Sequence, residues 1–208
     1  MQDGLVTPLA SQDETDIALD MLLSRASISP ATMTEPGPEG HDLNDILDAA
    51  MRAPDHGRLR PWRFLTISGD ARHRLGEVFV TALQNREPGA ADVLVERERS
   101  RPLRAPLVIA AGVHVDADNA IPEIEQVLSA GAATMNILNA AHALGFAAMW
   151  VTGKNSYDPI VNKALGFHAP DRLIGFVYLG TPKEAAKPIQ RPLREDFVRD
   201  WSGQDGSA

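Results

Sequence analysis

Arginine and serine side chains at the ends of two apolar helical stretches have the types and spacing that could do chemistry. Arg25 and Ser27 close the first stretch in "SRAS", and Arg52 closes the second. A guanidinium group beside a hydroxyl can clamp a phosphate through charge-assisted hydrogen bonds. Arginine near a helix C-terminus is also favourable against the helix dipole without any ligand. Taken singly, each position therefore leaves both interpretations open.

The segment from Arg52 to Arg104 is basic although the chain as a whole is acidic. It holds 11 arginines against seven acidic residues, 11 − 7 = +4, whereas the chain carries 20 − 28 = −8. Such a local excess indicates either a solvated helix face or a site for an anion. Within it, four arginines follow or alternate with Glu96 and Glu98, which predicts a salt-bridged, solvated helix face. These four are Arg97, Arg99, Arg101 and Arg104.

Several other kinds of site are excluded by residues that the chain lacks. It has no cysteine, which removes disulfides, zinc-thiolate sites and thiol nucleophiles. Its six histidines include no zincin-like pair, and neither a G-x-S-x-G nucleophile motif nor a glycine-rich phosphate loop occurs. If the protein is an enzyme, its chemistry is therefore expected to come from a bound cofactor.

Charge and hydropathy also limit the expected partners and location. A net charge of −8 argues against nucleic-acid and membrane partners. The first 20 residues hold five acidic residues and no basic one, unlike a signal peptide. Apolar stretches break off before the roughly 18 residues that a membrane span needs. We therefore expect a soluble, cytoplasmic protein.

The hydrophobic periodicity predicts strands interleaved with helices in one α+β or α/β domain. Helices are expected at 15–25, 41–52, from 70 onwards, within 86–104, at 121–145 and at 158–166, and strands at 62–68, 105–115, 146–153 and 172–182. The first helix is expected to be buried on most of its circumference. Residues 1–14 are expected to form a loose extension, and 15–208 a single domain that ends in an extended, proline-rich tail.

Four sequence blocks point to a known family. They are "RAS" at 25–27, "AAMRAPDHGRLRPWRFLTISG" at 49–69, "GFAAMWVTG" at 145–153 and "IGFVYLGTP" at 174–182. In this order they resemble the nitroreductase family, and most closely its small NAD(P)H-dependent, FMN-binding members. The resemblance implies an α+β fold with a sheet flanked by helices. It also implies a homodimer with one FMN at each of two interfacial sites.

The resemblance further implies which residues contact each cofactor. FMN is expected to meet Arg25, Ala26, Ser27, Arg52, His56, Trp150, Val151, Thr152, Gly153 and Arg191. The nicotinamide cofactor is expected at Ala140, Ala141, His142, Ala143, Leu144 and Gly145. Ala26 departs from the family's R-R-S pattern, and the asparagine that larger relatives place near the flavin is missing. Trp62 is expected in the core, whereas Trp150 is equally compatible with the core and with ligand contact.

The implied activity is hydride transfer from NADH or NADPH to FMN, followed by reduction of a nitroaromatic, quinone or other conjugated acceptor. Because both half-reactions would use one open face of the flavin, ping-pong kinetics are expected. No side chain need act as an acid or base. Two alternatives stay open: a flavin-dependent dehydrogenase or dehalogenase, and a non-catalytic FMN-binding regulator on the same fold.

Overall fold

A computed structural model describes residues 11–184 and 189–203. The helices are α1 (Gln12–Ser24), α2 (Gly40–Ala50), α3 (Asp70–Arg86), α4 (Asp92–Ser100), α5 (Glu123–Ala143) and α6 (Pro159–Ala164). The strands are β1 (Met33–Thr34), β2 (Trp62–Ser68), β3 (Leu107–His114), β4 (Ala147–Val151) and β5 (Asp171–Pro182). Helices and an antiparallel sheet in one chain confirm the predicted α+β class.

The sheet is built around β3 and β5, which pair with each other in antiparallel orientation. Strand β2 lies on the outer side of β3, β4 pairs with the other side of β5, and β1 pairs with the last two residues of β5. All but the last residue of β3 are buried, as expected of a strand covered on both faces. Strands β2 and β4 consequently lie on opposite sides of the β3–β5 pair.

Two apolar layers cover the two faces of this sheet. Phe176 and Tyr178 of β5 face α3 and α6, whereas Val177 and Leu179 face α2 and α5. This alternation follows from the two-residue period of a strand. Because the two layers hold β5 from both sides, the neighbouring strand β4 has a fixed position in the fold.

Helix α1 forms where the sequence predicts it but is not buried. It begins at Gln12 with a capping box between Ser11 and Glu14, so residues 12–14 belong to the helix, and residues 1–10 lie outside the described residues. None of its residues is buried, and Leu23 is 75% exposed. The expectation of extensive burial was wrong because, within one chain, α1 contacts little besides α5.

The charged segment 86–104 divides into the end of α3, the separate helix α4 and a 3-10 turn at Arg101–Arg104. Its ion pairs are confirmed, since Arg99 pairs with Glu77 and Glu96, and Arg101 pairs with Glu98. The expected solvated face is confirmed only in part, because Arg97 and Arg104 are exposed whereas Glu98 is only 6% exposed. Helix α4 lies so close to α3 that a Cβ at Gly76 would collide with the Arg99 carbonyl oxygen.

We therefore expect Gly76→Ala to destabilise the fold by about 1–3 kcal/mol, because α4 must shift to admit the methyl group. Urea denaturation would measure this loss. Gln84→Ala, at an exposed position on the same helix, should change the free energy of unfolding by less than about 0.5 kcal/mol. Equal stability of the Gly76→Ala variant and the parent would show that the two helices do not depend on this contact.

Tyr178 gives the stability of the fold a dependence on alkaline pH. Its burial raises the pKa of the hydroxyl from 10.0 to about 12, although Arg101 and Arg104 act against this. A pKa that is higher in the folded protein contributes stability that is complete below pH 10 and is lost as the pH rises toward 12.

Between pH 9 and pH 11, the parent should lose about 1.4 kcal/mol more unfolding free energy than Tyr178→Phe, which cannot ionise there. Denaturant titrations at the two pH values would measure the difference. Tyr157→Phe, which removes the 74% exposed tyrosine, should keep the parent's full loss. An equal loss in Tyr178→Phe and the parent would contradict this assignment.

Candidate functional site

Strand β4 has backbone groups along one edge that pair with no other strand in residues 11–184 and 189–203. It pairs with β5 on one side, and on the other side the Ala148 carbonyl accepts a hydrogen bond from Ile28 N at 3.1 Å. Backbone groups in an antiparallel strand alternate between its two edges, so the N–H and C=O of Trp150 also point to this free side. The edge therefore offers a donor and an acceptor to a ligand.

The expected phosphate ligands lie next to this edge. Arg25, Ala26 and Ser27 directly precede Ile28 and follow the last residue of α1. Arg191 comes from the tail and donates from Nη2 to the Arg25 carbonyl at 2.6 Å. The structure thus brings together two arginines that are 166 residues apart in the chain.

The segment expected to bind the nicotinamide cofactor forms the end of α5 and the turn into β4. Gly145 has φ of 82°, a left-handed conformation that favours glycine, and it follows the end of the helix as the sequence predicts. His142 Nε2 lies 3.0 Å from Ser24 Oγ, which places this turn beside the Arg25 segment. Ala141 is fully buried, so its side chain is directed to the core.

The segment from Trp150 to Gly153 separates two cavities. Val151 packs towards α3, whereas Trp150 packs towards α5 and lines an apolar cavity of about 640 Å³ together with Leu128 and Gly131. The Trp150 indole N–H is buried and has no hydrogen-bond partner in the described part of the chain. Gly153 has φ of 131°, and a Cβ there would meet open space, so a ligand could approach this backbone closely.

The second cavity, of about 260 Å³, lies where β4 ends and is bordered by α3, α4 and the segment 151–156. A buried polar network forms its base. Arg86 pairs with Asp158 and donates to Asn155 Oδ1 at 3.0 Å, and Asn155 Nδ2 donates to Glu98 Oε2 at 2.8 Å. Asp158 before Pro159 is recognisable as a helix cap, but no sequence signal reveals that it also belongs to this network.

Arg52 and His56 lie elsewhere in the chain. His56 Nδ1 is 2.7 Å from Glu125 Oε2 near the start of α5, whereas His142 is 17 residues further along that helix, about 25 Å away. The loop that carries His56 leads into β2, which is three strands from β4, or about 14 Å. One chain therefore does not bring these two residues to the group formed by Arg25, Ser27 and Arg191.

Two further features limit the kinds of site in the described part of the chain. No group of three or more His, Asp or Glu side chains in residues 11–184 and 189–203 is placed to hold a metal ion. In the same ranges, no helix has the length and apolar character needed to cross a bilayer.

Comparison with known proteins assigns the chain to a family. The profile of the Nitroreductase family matches residues 22–181. The chain is 38% identical over 182 residues to YdjA of Escherichia coli (strain K12), named as a candidate NAD(P)H nitroreductase, and this match covers 87% of the chain and 97% of the relative.

Solved structures show the same fold. A nitroreductase-like family protein from Bacillus cereus superposes with a TM-score of 0.76 at 20% identity, covering 89% of this chain and 96% of the other. A nitroreductase with bound FMN from Bacteroides fragilis gives a TM-score of 0.67 at 21% identity, covering 88% and 98%. From the match of the family profile over most of its length, the chain belongs to the nitroreductase family.

Proposed function

We propose that this protein is an FMN-dependent oxidoreductase that takes hydride from NADH or NADPH and reduces a nitroaromatic, quinone or similar conjugated acceptor. The name of the Escherichia coli relative includes NAD(P)H, and the Bacteroides fragilis structure has bound FMN. The free edge of β4, with Arg25, Ser27 and Arg191 at one end and Gly153 at the other, is the observation that carries the proposal.

The residues along this edge fit the parts of FMN. Arg25, Ser27 and Arg191 would hold the phosphate, whose roughly −1.5 to −2 charge favours guanidinium and hydroxyl donors. Ala148 and Thr152 are about 13 Å apart along the strand, which suits an extended cofactor. The unpaired N–H and C=O of Trp150 and the open space at Gly153 would accommodate the ring.

A second copy of the chain would supply Arg52 and His56, because in one chain they lie far from this edge. Apolar side chains in solvent support a homodimer: Leu23 of α1, Leu128 of α5, and Phe197 and Trp201 of the tail are each more than 60% exposed. An exposed apolar surface of this kind is typical of protein–protein contacts.

FMN when bound would supply the hydride chemistry, and the side chains along the β4 edge would position it. A carboxylate only accepts hydrogen bonds, so Glu125 fixes the proton of His56 on Nδ1. His56 Nε2 therefore accepts a hydrogen bond when the ring is neutral and donates one only when the ring is protonated. Both nicotinamide cofactors are available in the cytoplasm, the location that we propose.

Anaerobic addition of NADH or NADPH should bleach the 450 nm absorbance of the FMN-loaded protein, and a nitroaromatic or quinone should restore it. Initial rates measured against both substrates should give parallel double-reciprocal lines, since one flavin face serves both in turn. A protein that binds FMN but is not reduced by either nicotinamide would instead be a regulator. Converging lines would contradict the ping-pong order.

Subunit mixing tests whether each site is shared between two chains. Arg25→Gln and Arg52→Gln should each weaken FMN binding by about ten- to a hundredfold, because each removes a charge-assisted hydrogen bond. Refolding the two variants together should restore about a quarter of the sites, since a mixed dimer has one intact site. Arg74→Gln, at an exposed position on α3, should bind FMN like the parent. Failure of the mixture to recover any tight binding would contradict a shared site.

A further inference from the structure

The cavity of about 260 Å³ at the end of β4 has a positively charged lining that ion pairs within the chain do not fully neutralise. Four cationic and two acidic side chains border it: Arg86, Arg97, Arg101 and Lys154, and Glu87 and Glu98; with the buried Asp158 that pairs with Arg86, the balance is 4 − 3 = +1. Neither Arg97 nor Lys154 forms an ion pair with any residue in the described ranges. Arg97 and Lys154 are both exposed and have no ion-pair partner in these ranges, and Glu87 is the acidic lining residue left unpaired beside them.

Hydrogen-bond donors in the cavity wall lack partners as well. The described residues contain five buried side-chain atoms without one, and three belong to this wall: Arg86 Nε, Arg101 Nε and Ser156 Oγ. The Arg101 Nε–H lies 2.7 Å from Glu98 Oε1 but is not aligned for a hydrogen bond. A buried donor without a partner is costly, so a concentration of them indicates a missing acceptor.

The buried network holds this wall in a fixed arrangement. The side chain of Asp158 is 2% exposed and that of Glu98 is 8% exposed, and through Arg86, Asn155 and Arg101 they connect α3, α4 and the segment after β4. Arg86 and Arg101 are thus fixed by buried acids, and the part of the wall that they form does not depend on a ligand.

We propose that this cavity binds a planar group with negatively charged oxygen atoms, held by Arg97, Lys154 and the donors of the wall. At about 260 Å³ it is too small for a whole cofactor but accepts a carboxylate with one ring, or one edge of a larger ligand. Its contact with Val151, Thr152 and Gly153 places it beside the expected flavin ring, and this part of the inference rests on the proposed function.

Two sources could provide such a group. One is the acidic substituent of an electron acceptor, whose conjugated part would then lie against the flavin. The other is the carbonyl-bearing edge of the flavin ring itself, which carries negative charge when reduced. Both have the same chemistry, and they differ in whether the cavity stays available after FMN binds.

Benzoate and its neutral isostere benzamide are the probes, and calorimetric titration of both the FMN-free and the FMN-loaded protein is the measurement. Benzoate should bind at least about tenfold more tightly than benzamide, as expected when a charge-assisted hydrogen bond is lost. Binding to the FMN-loaded protein would identify the anion as the acceptor's acidic group. Binding to the FMN-free protein alone, with displacement by FMN, would identify it as the edge of the flavin.

Three variants separate binding from folding. Arg97→Gln and Lys154→Gln change exposed side chains without ion pairs and should each weaken benzoate binding by about three- to tenfold. Ser156→Ala should weaken it by a similar factor while leaving Tm equal or higher, because it removes a buried hydroxyl that has no partner. Arg74→Gln is the control and should bind benzoate like the parent.

Equal binding of benzoate and benzamide, or no saturable binding to either form of the protein, would overturn the proposal. Unchanged affinity in all three variants would overturn it as well. Because the FMN-free arm requires no flavin, a failure of anion binding is distinguishable from a failure of the proposed activity.

Discussion

Among the described residues, strand β4 has a neighbouring strand on only one side, and the candidate site depends on this constraint. An unpaired strand edge must find hydrogen-bond partners in water, another chain or a ligand. Here Ile28 N donates a hydrogen bond to one group on this edge, the Ala148 carbonyl. This bond fixes the segment that contains Arg25 beside β4. The next backbone groups that point to this edge belong to Trp150. Three residues later the chain reaches Gly153, which has open space beside it. One backbone edge thus connects the segment proposed to hold the phosphate with the segment proposed to accommodate the flavin ring.

The buried network around Asp158 and Glu98 explains why the chain has a fixed position where this edge ends. Buried charges are tolerated only when they are paired and hydrogen-bonded. Arg86 and Asn155 meet this need by connecting α3 and α4 to the segment after β4. The network positions residues 151–156 without itself belonging to the expected flavin contacts. It also leaves unpartnered donors in the adjoining wall, where an acidic group could satisfy them.

Much of the fold could be predicted because local patterns determine it. The apolar run of β3, the periodicity of α5 and the glycine at 145 each act over a few residues, and the structure has them where they were expected. The burial of α1 was predicted wrongly because amphipathicity shows that an apolar face needs a partner but not which molecule supplies it. The same reasoning explains α4, whose alternating charges resemble those of a solvated face until α3 covers Glu98.

The candidate site could be predicted only in part, because it depends on contacts between distant segments. The residue types of Arg25 and Ser27 are enough to make them candidate phosphate ligands. The hydrogen bond from Arg191 to Arg25 joins residues 166 positions apart, so no local pattern predicts it. Arg86, Asn155 and Ser156 carry no local signal, since their roles depend on how α3 and α4 approach the end of β4. The placement of Arg52 and His56 at a distance from β4 is likewise a consequence of strand order, which periodicity does not determine.

Amide hydrogen exchange with and without FMN tests most directly whether the cofactor lies along the free edge of β4. The N–H of Trp150 points away from β5, so it should exchange readily in the FMN-free protein and become protected when FMN binds. Residues 25–27 and 152–153 should gain protection at the same FMN concentrations, while β2, three strands away, should show little change within its own chain. Protection confined to other segments, with the amide of Trp150 unaffected, would contradict a flavin bound at this edge.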